Sequence, residues 1–482
     1  MTSVVLAADL GAGSLRTAAV GRDGSILAQT VSQSVAAGPA ADCHEGDAAQ
    51  WWAALCHGLR HVQGAVPGAM VEAVAVTAMT RSQVFIDADG ELLRPAILWA
   101  DHRAGDVAKD LERQLPRQNP AVALNAFHPL ARLAFVLDRE PEVGARLAHV
   151  IEPKDYLNFR LTGRLATDSV VIGRLAPLMA EGGPAALARL LEYVPATSLQ
   201  PTDVLGPVTA TELPTLRGVP VVVGSMDAWA SAVGAGAARS GMAYDVSGTS
   251  EAAGLIMAAP KQAAGLVALP WAKGLFQLGG PTQAGADAVR WAFETFRADG
   301  TLETAVDRAA ANHGAETPQF LPYLSGERAP VWRDDVGGMF FGLDRSHGPD
   351  DLLAAAMEGV AQAVRDIIAV AEGDGTRADV VRICGGGARS DPWCQLRADV
   401  AGRPFERPRT VETGLIGAAA AAFAGIGAFG NLAEAADTLN PTAARFEPRK
   451  ALADRFAQRA ARYDALKAFV LGAADAPPPG GL

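Results

Sequence analysis

Val219-Pro220-Val221-Val222-Val223-Gly224-Ser225-Met226-Asp227 is an apolar run that ends, through a glycine, on a single carboxylate, and the small, Gly-rich segment 228–241 follows it. A run rich in β-branched residues reads as a buried strand. One that ejects Asp227 through Gly224 into a helix start presents the carboxylate to a ligand instead of the core. Two further segments have the same shape, Asp9-Leu10-Gly11-Ala12-Gly13-Ser14 and Asp245-Val246-Ser247-Gly248-Thr249-Ser250, each preceded by a short apolar stretch. Such loops suit phosphates, because glycines let successive N–H groups converge on an anion. Taken singly, each also reads as an ordinary strand end.

Length and composition set the frame for these loops. The 482 residues exceed what one hydrophobic core usually serves, so two domains of roughly 240 residues are expected. With 49% hydrophobic and 20% charged residues, the chain reads as a soluble globular protein. The net charge of −11 is spread without a basic stretch, which argues against nucleic acid or an anionic membrane as partner. Asp9 breaks the first apolar run too early for a signal peptide, and no stretch approaches the roughly 20 apolar residues of a membrane span. A cytoplasmic protein is expected. Cys43, Cys56, Cys384 and Cys394 have no Cys-x-x-Cys spacing and read as reduced, partly buried thiols.

Short β-branched runs alternate with longer amphipathic segments, the pattern of an α/β protein. Strands are expected at 4–8, 17–20, 71–76, 84–86, 219–223, 243–246, 276–278 and 380–384. After Asp47, the side chains of Trp51, Leu55, Leu59 and Val62 fall on one helical face, as do Leu353, Met357, Val360, Val364 and Ile367 after Pro349. Segments 4–20 and 242–256 look like two copies of one hairpin, each opening half of the chain. A duplicated α/β domain with a ligand cleft between the halves follows. The end of the chain, 473–482, is too poor in apolar residues to fold and reads as disordered.

The kind of phosphate chemistry narrows by elimination. No Gly-Lys dipeptide occurs, which excludes the P-loop. Gly11-Ala12-Gly13-Ser14-Leu15-Arg16 begins like a dinucleotide fingerprint but has Arg16 where the third glycine belongs. A hairpin turn that cradles phosphate fits better. Asp9, at its strand end, would then hold Mg²⁺ through water. A further cluster, Gly385-Gly386-Gly387-Ala388-Arg389, follows a strand and precedes a helix start at Ser390-Asp391-Pro392. Bare glycines there would let a flat ring such as adenine lie against backbone. A triple glycine alone is commonly a plain turn; with three such loops and an emergent aspartate in one chain, that reading weakens.

These residues resemble the FGGY carbohydrate kinases of the sugar kinase, heat-shock protein 70 and actin superfamily, xylulokinases most of all, from about Val4 to about Gly427. The most specific piece is Gly338-Met339-Phe340-Phe341-Gly342-Leu343, then seven residues, then Asp351-Leu352-Leu353-Ala354-Ala355-Ala356-Met357-Glu358, which matches the family's carboxy-terminal signature. Phe320 to Arg328, Arg94 to Trp99 and Pro153 to Leu157 also look like xylulokinase segments. The resemblance implies two ribonuclease H-like (actin-like ATPase) domains, 1–236 and 237–470, with a catalytic cleft between them and a disordered tail, 471–482. It implies Asp227 as catalytic base and Asp9 as the residue near Mg²⁺. Gly11, Ala12, Gly13, Ser14, Arg16, Gly248 and Thr249 would hold ATP phosphates, and Gly386, Gly387 and Ala388 would line the adenosine site.

The acceptor site is expected at Met79, Thr80, Arg81, Trp99 and Asp101, with Asp227. Xylulokinases have Met-His-Gly where this chain has Met79-Thr80-Arg81, so the pocket is altered. Ala12 replaces a usual threonine, and Arg132 and Phe135 stand where the amino-terminal signature usually has lysine and tryptophan. The expected activity is ATP-dependent phosphorylation of a primary hydroxyl on a ketopentose, xylulose-like. Another ketose or a polyol (ribulose, glycerol, erythritol) is the alternative acceptor. The alternative of another class is a nucleotide-dependent sugar sensor or interaction protein, which would need no base at Asp227. A homodimer is compatible with the resemblance.

Overall fold

A computed structural model of the chain describes residues 2–33, 43–113, 124–173, 175, 185–373 and 375–475. It has two compact units. The first comprises Met1–Ala238, Leu269–Gly274 and Thr413–Asn440; the second comprises Arg239–Ala268, Leu275–Glu412 and Pro441–Leu482.

In the first unit, β1 (Ser3–Leu10), β2 (Ser14–Gly21), β3 (Ile26–Gln33), β4 (Met70–Ala78), β5 (Val204–Pro207) and β6 (Pro220–Val222) form one sheet in the order β3-β2-β1-β4-β6-β5. Its pairings, from β3 across, run antiparallel, antiparallel, parallel, parallel, antiparallel. In the second unit, β7 (Met242–Ser247), β8 (Glu251–Met257), β9 (Leu275–Pro281), β10 (Val380–Gly385), β11 (Phe405–Pro408) and β12 (Thr442–Phe446) are six strands of a seven-stranded sheet and pair in the order β9-β8-β7-β10-β11-β12. The pairings repeat: antiparallel, antiparallel, parallel, parallel, antiparallel. The two sheets share the order of their first four strands and the pattern of pairing directions, and each is opened by the hairpin expected from sequence; at the far edge the chain order differs, β5 preceding β6 in the first unit and β12 following β11 in the second.

Helices cover these sheets. In the first unit they include α1 (Ala48–Gly64), α2 (Pro129–Arg139), α3 (Pro153–Thr162) and α4 (Asp227–Gly234). Asp47 caps α1 by accepting the N–H groups of Ala49 and Gln50, and Trp51, Leu55, Leu59 and Val62 are buried on its inner face. The second unit contributes α5 (Ala286–Phe296), α6 (Pro349–Glu372) and α7 (Asp391–Ala401); α8 (Gly414–Gly425) belongs to the first unit, and α9 (Ala453–Asp475) to the second. Helix α8 is apolar all round and buried over most of its length, as a helix enclosed on all sides must be. Helix α9 takes in residues 471–475, where the disordered tail was expected to begin, because Val470, Leu471 and Ala474 pack on a cluster with Leu321, Tyr323 and Tyr463. The rest of that tail, 476–482, lies outside the described residues. No helix among the described residues is long and apolar enough to cross a membrane.

Candidate active site

The carboxyl ends of β1, β4 and β6 bring three sequence-predicted segments to one edge of the first sheet. The Met79 N–H donates to the Leu10 carbonyl at 2.7 Å, Ala78 forms a parallel bridge with Met226, and the Thr77 hydroxyl donates to the Ser225 carbonyl at 2.7 Å. Gly224 makes the exit from β6. Its φ is +65°, and a Cβ there would stand 2.3 Å from the Val76 carbonyl oxygen, so the turn that delivers Asp227 needs glycine. Asp227 is the first residue of α4, and its Oδ1 accepts the Ala228 N–H at 2.7 Å.

Below this turn lies a buried polar network. The Ser225 hydroxyl donates to Asp168 at 2.8 Å, and the Lys154 ammonium sits 2.5 Å from Asp155 and 3.3 Å from Asp168. Burial works against the lysine's charge, but the two carboxylates outweigh it and hold Lys154 above its ordinary pKa. The residue two before Asp227 is thereby anchored.

Asp9 and Asp227 feel each other. Burial, then the charge of Asp227, pushes the Asp9 carboxyl up to about 7, with Arg16 pulling the other way. Arg16 is directly opposite Asp9 in the β1–β2 register, so both side chains leave the same face. Between them the chain turns tightly, the Gly11 N–H donating to the Ser14 carbonyl at 2.9 Å. Ala12 and Gly13 are exposed at its tip, and a Cβ on Gly13 would meet nothing within 4 Å. One neighbour was not foreseen: a Cβ on Gly414, at the start of α8, would fall 2.5 Å from Asp9 Oδ2. No local sequence signal links the two.

The acceptor segments are divided by burial. Met79 and Asp101 are buried, Thr80 and Arg81 are partly exposed, and Trp99 is 50% exposed. Arg81 adopts φ +54°, a conformation that costs a non-glycine residue energy. The Asp101 carboxylate accepts from the His44 N–H at 2.8 Å, the Arg103 N–H at 3.0 Å and Arg103 Nε at 3.0 Å. Against the effect of burial, these bonds hold Asp101 below its usual pKa. Its side chain organises the Trp99–Arg103 turn from inside, while Trp99 itself faces solvent.

In the second unit, Gly248 and Thr249 form the β7–β8 turn, with the Thr249 side chain exposed. The start of α5 abuts this turn: the Ala286 and Asp287 N–H groups donate to the Gly248 and Thr249 carbonyls. Gly385 pairs with Ser247 across β7 and β10, so Gly386, Gly387 and Ala388, in the short 3₁₀ turn that follows, share the edge of the sheet with Gly248. Gly387 is packed, a Cβ there reaching 2.1 Å from Ser247 Oγ, whereas one on Gly386 would meet open space. Asp245 has a different fate from Asp9. It is buried and paired with Arg397 at 2.6 Å, alongside Glu251 at 3.0 Å. A similar sequence pattern thus supplies a partly exposed carboxylate in one unit and a core ion pair in the other.

Cys56, Cys384 and Cys394 are buried and Cys43 is partly so, all as free thiols. Among the described residues no group of three or more His, Cys, Asp or Glu side chains is placed to hold a metal ion.

The fold and the comparisons with known proteins define a class: a two-domain kinase of the actin-like ATPase fold, transferring phosphate to an alcohol. The solved xylulose kinase from Rhodospirillum rubrum is similar over 98% of this chain and 100% of its own, with a TM-score of 0.88 and 26% identity. The amino-terminal domain model of the FGGY family of carbohydrate kinases matches residues 4–178, and its carboxy-terminal domain model matches 243–426. The chain belongs to the FGGY family of carbohydrate kinases. It is 28% identical to a xylulose kinase of Escherichia coli (strain K12), covering 83% of this chain and 85% of that protein. It is 30% identical to one from Streptomyces coelicolor, covering 78% and 79%. A gluconokinase from Bacillus licheniformis is 24% identical over 87% of this chain and 86% of its own length.

Proposed function

We propose that the protein phosphorylates a primary hydroxyl of a ketopentose, xylulose-like, with ATP as donor. The observation that carries this reading is the Asp9–Asp227 pair at one sheet edge, Asp9 being raised to about 7 partly by Asp227. Asp227 is the base. Its carboxylate accepts a hydrogen bond from the acceptor hydroxyl and takes the proton as the hydroxyl oxygen bonds to the γ-phosphorus and the bond from that phosphorus to the ADP oxygen breaks. Gly11, Ala12, Gly13, Ser14 and Arg16, with Gly248 and Thr249, receive the phosphates. Gly386, Gly387 and Ala388 line the adenosine site, where the open space above Gly386 leaves room for a flat ring.

The donor set suits Mg²⁺. Two neighbouring carboxylates, Asp9 and Asp227, fit a small hard cation that keeps most of its water and phosphate oxygens. When bound, it would neutralise phosphate charge, with Asp9 holding it through a water and Asp227 beside it.

The acceptor rests against Met79, Thr80, Arg81 and Trp99, and Asp101 shapes that wall from behind. The exposed Trp99 ring supplies a flat apolar surface for the carbon face of a sugar. A panel of D-xylulose, D-ribulose, glycerol, erythritol and gluconate, assayed for acceptor-dependent ADP release, tests this. The expected result is the highest kcat/KM for a ketopentose, with the product phosphorylated on a primary hydroxyl. ADP release that no acceptor raises above background would favour a nucleotide-dependent sensor and overturn the kinase reading.

A further inference from the structure

Arg132 lies in α2 and is completely buried. Each of its five N–H donors has a partner. Nε donates to the Ala126 carbonyl at 3.2 Å. Nη1 donates to the Arg81 carbonyl and to Gln83 Oε1, the latter at 2.7 Å. Nη2 donates to the Leu98 carbonyl at 2.7 Å and the Asp101 carbonyl at 3.1 Å. One planar group therefore ties together the two segments that bracket the acceptor wall, and it grips the backbone at Arg81, the residue held at φ +54°.

We propose that Arg132 is the positioning residue of the acceptor site, a buried guanidinium that sets segments 79–83 and 98–101 against each other. The inference rests on the reading that these segments face the acceptor. A lysine has three donors on a point charge, and no lysine can meet four carbonyls and an amide from one place; the five-donor fork of arginine can. Burial lowers the guanidinium pKa only to about 10, so the clamp stays charged at neutral pH. The Arg103 guanidinium, 17% exposed, is engaged with Asp101 and Glu45 instead, which leaves the carbonyl contacts to Arg132.

The test compares Arg132→Lys, Arg132→Met and Gln83→Leu in the full-length protein. Hydrogen exchange read by mass spectrometry needs no ligand. The clamp predicts that exchange within 79–83 and 98–103 accelerates at least tenfold in Arg132→Lys while β1 and β2 keep wild-type rates. In steady-state kinetics with the best acceptor of the panel, KM for the acceptor rises at least tenfold and KM for ATP changes less than twofold, Arg132→Lys retaining more acceptor binding than Arg132→Met. If Arg132→Met does not fold, Gln83→Leu, which removes one partner, shows the same split at smaller amplitude. Unchanged exchange, acceleration spread evenly over the first unit, or an equal rise of both KM values would overturn the proposal. A wild-type protein that phosphorylates no acceptor would fail the proposed function, and the exchange arm would still decide the clamp.

Discussion

Asp9 shows how little room a single side chain has. The three atoms nearest a Cβ at position 414 all belong to the Asp9 carboxylate, so Gly414→Ala should fold normally while pushing the carboxylate aside. The expected result is a fall in kcat of tenfold or more with Tm within about 3 °C of wild type, because no backbone has to move. Arg81 supplies the reverse case. Replacing it by glycine relieves about 1–2 kcal/mol of left-handed strain but adds about 0.5–1 kcal/mol of chain entropy to the unfolded state. Urea unfolding of Arg81→Gly should therefore show a protein as stable as wild type or more stable by up to about 1.5 kcal/mol, and a loss above about 1 kcal/mol would contradict the account. At this scale the sequence was uneven in what it disclosed. The exit of Asp227 through Gly224 was legible because it depends on neighbours in the chain. The contact of Gly414 with Asp9 and the bond from the His44 N–H that turns Asp101 inward depend on the tertiary path and left no local pattern.

Two helices hold the site residues in register, α4 beginning at Asp227 and α8 at Gly414. They meet through glycines: a Cβ on Gly417 would lie 1.8 Å from the Ala230 carbonyl oxygen, and one on Gly234 would lie 2.1 Å from that of Thr413. Backbone cannot yield as a side chain does, so Gly417→Ala should destabilise by about 2–3 kcal/mol, measured by urea unfolding, in contrast to the mild Gly414→Ala. Equal stability of the two variants would mean that the helices are not in such close contact. The central strands of both sheets were readable from β-branched runs, and α1 and α6 from their apolar faces, because those signals have the period of the element itself; the outer strands Ile26–Gln33, Val204–Pro207, Phe405–Pro408 and Thr442–Phe446 were not expected. Helix α8 is uniformly apolar and offers no face to read, so its place in the first unit came only from the structure.

The two units repeat the same opening hairpin and the next parallel strand, and the repeated hairpins were the sequence trace of it; the differing use of Asp9 and Asp245 was not, since similar loops can end in a partly buried carboxylate or in a core ion pair. Stability across pH should be governed by buried pairs of this kind. Burial alone would raise Glu358, but hydrogen bonds from His313 and Arg459 outweigh it and hold its pKa down to about 2. A carboxyl depressed in the folded state adds stability above its unfolded pKa, near 4.5, and that contribution disappears as pH falls from about 5 toward 2. The shift corresponds to about 3 kcal/mol, so Glu358→Gln should lose about that much at pH 7 and show a flatter acid limb. An acid limb as steep as that of wild type would assign acid sensitivity elsewhere. The central claim is that Asp227 takes the acceptor's proton. Acceptor-dependent ADP release by Asp227→Asn, which keeps the size of the side chain and removes its basicity, tests it most directly. The account predicts a fall in kcat of at least a thousandfold with acceptor and ATP still bound; turnover within tenfold of wild type would contradict it.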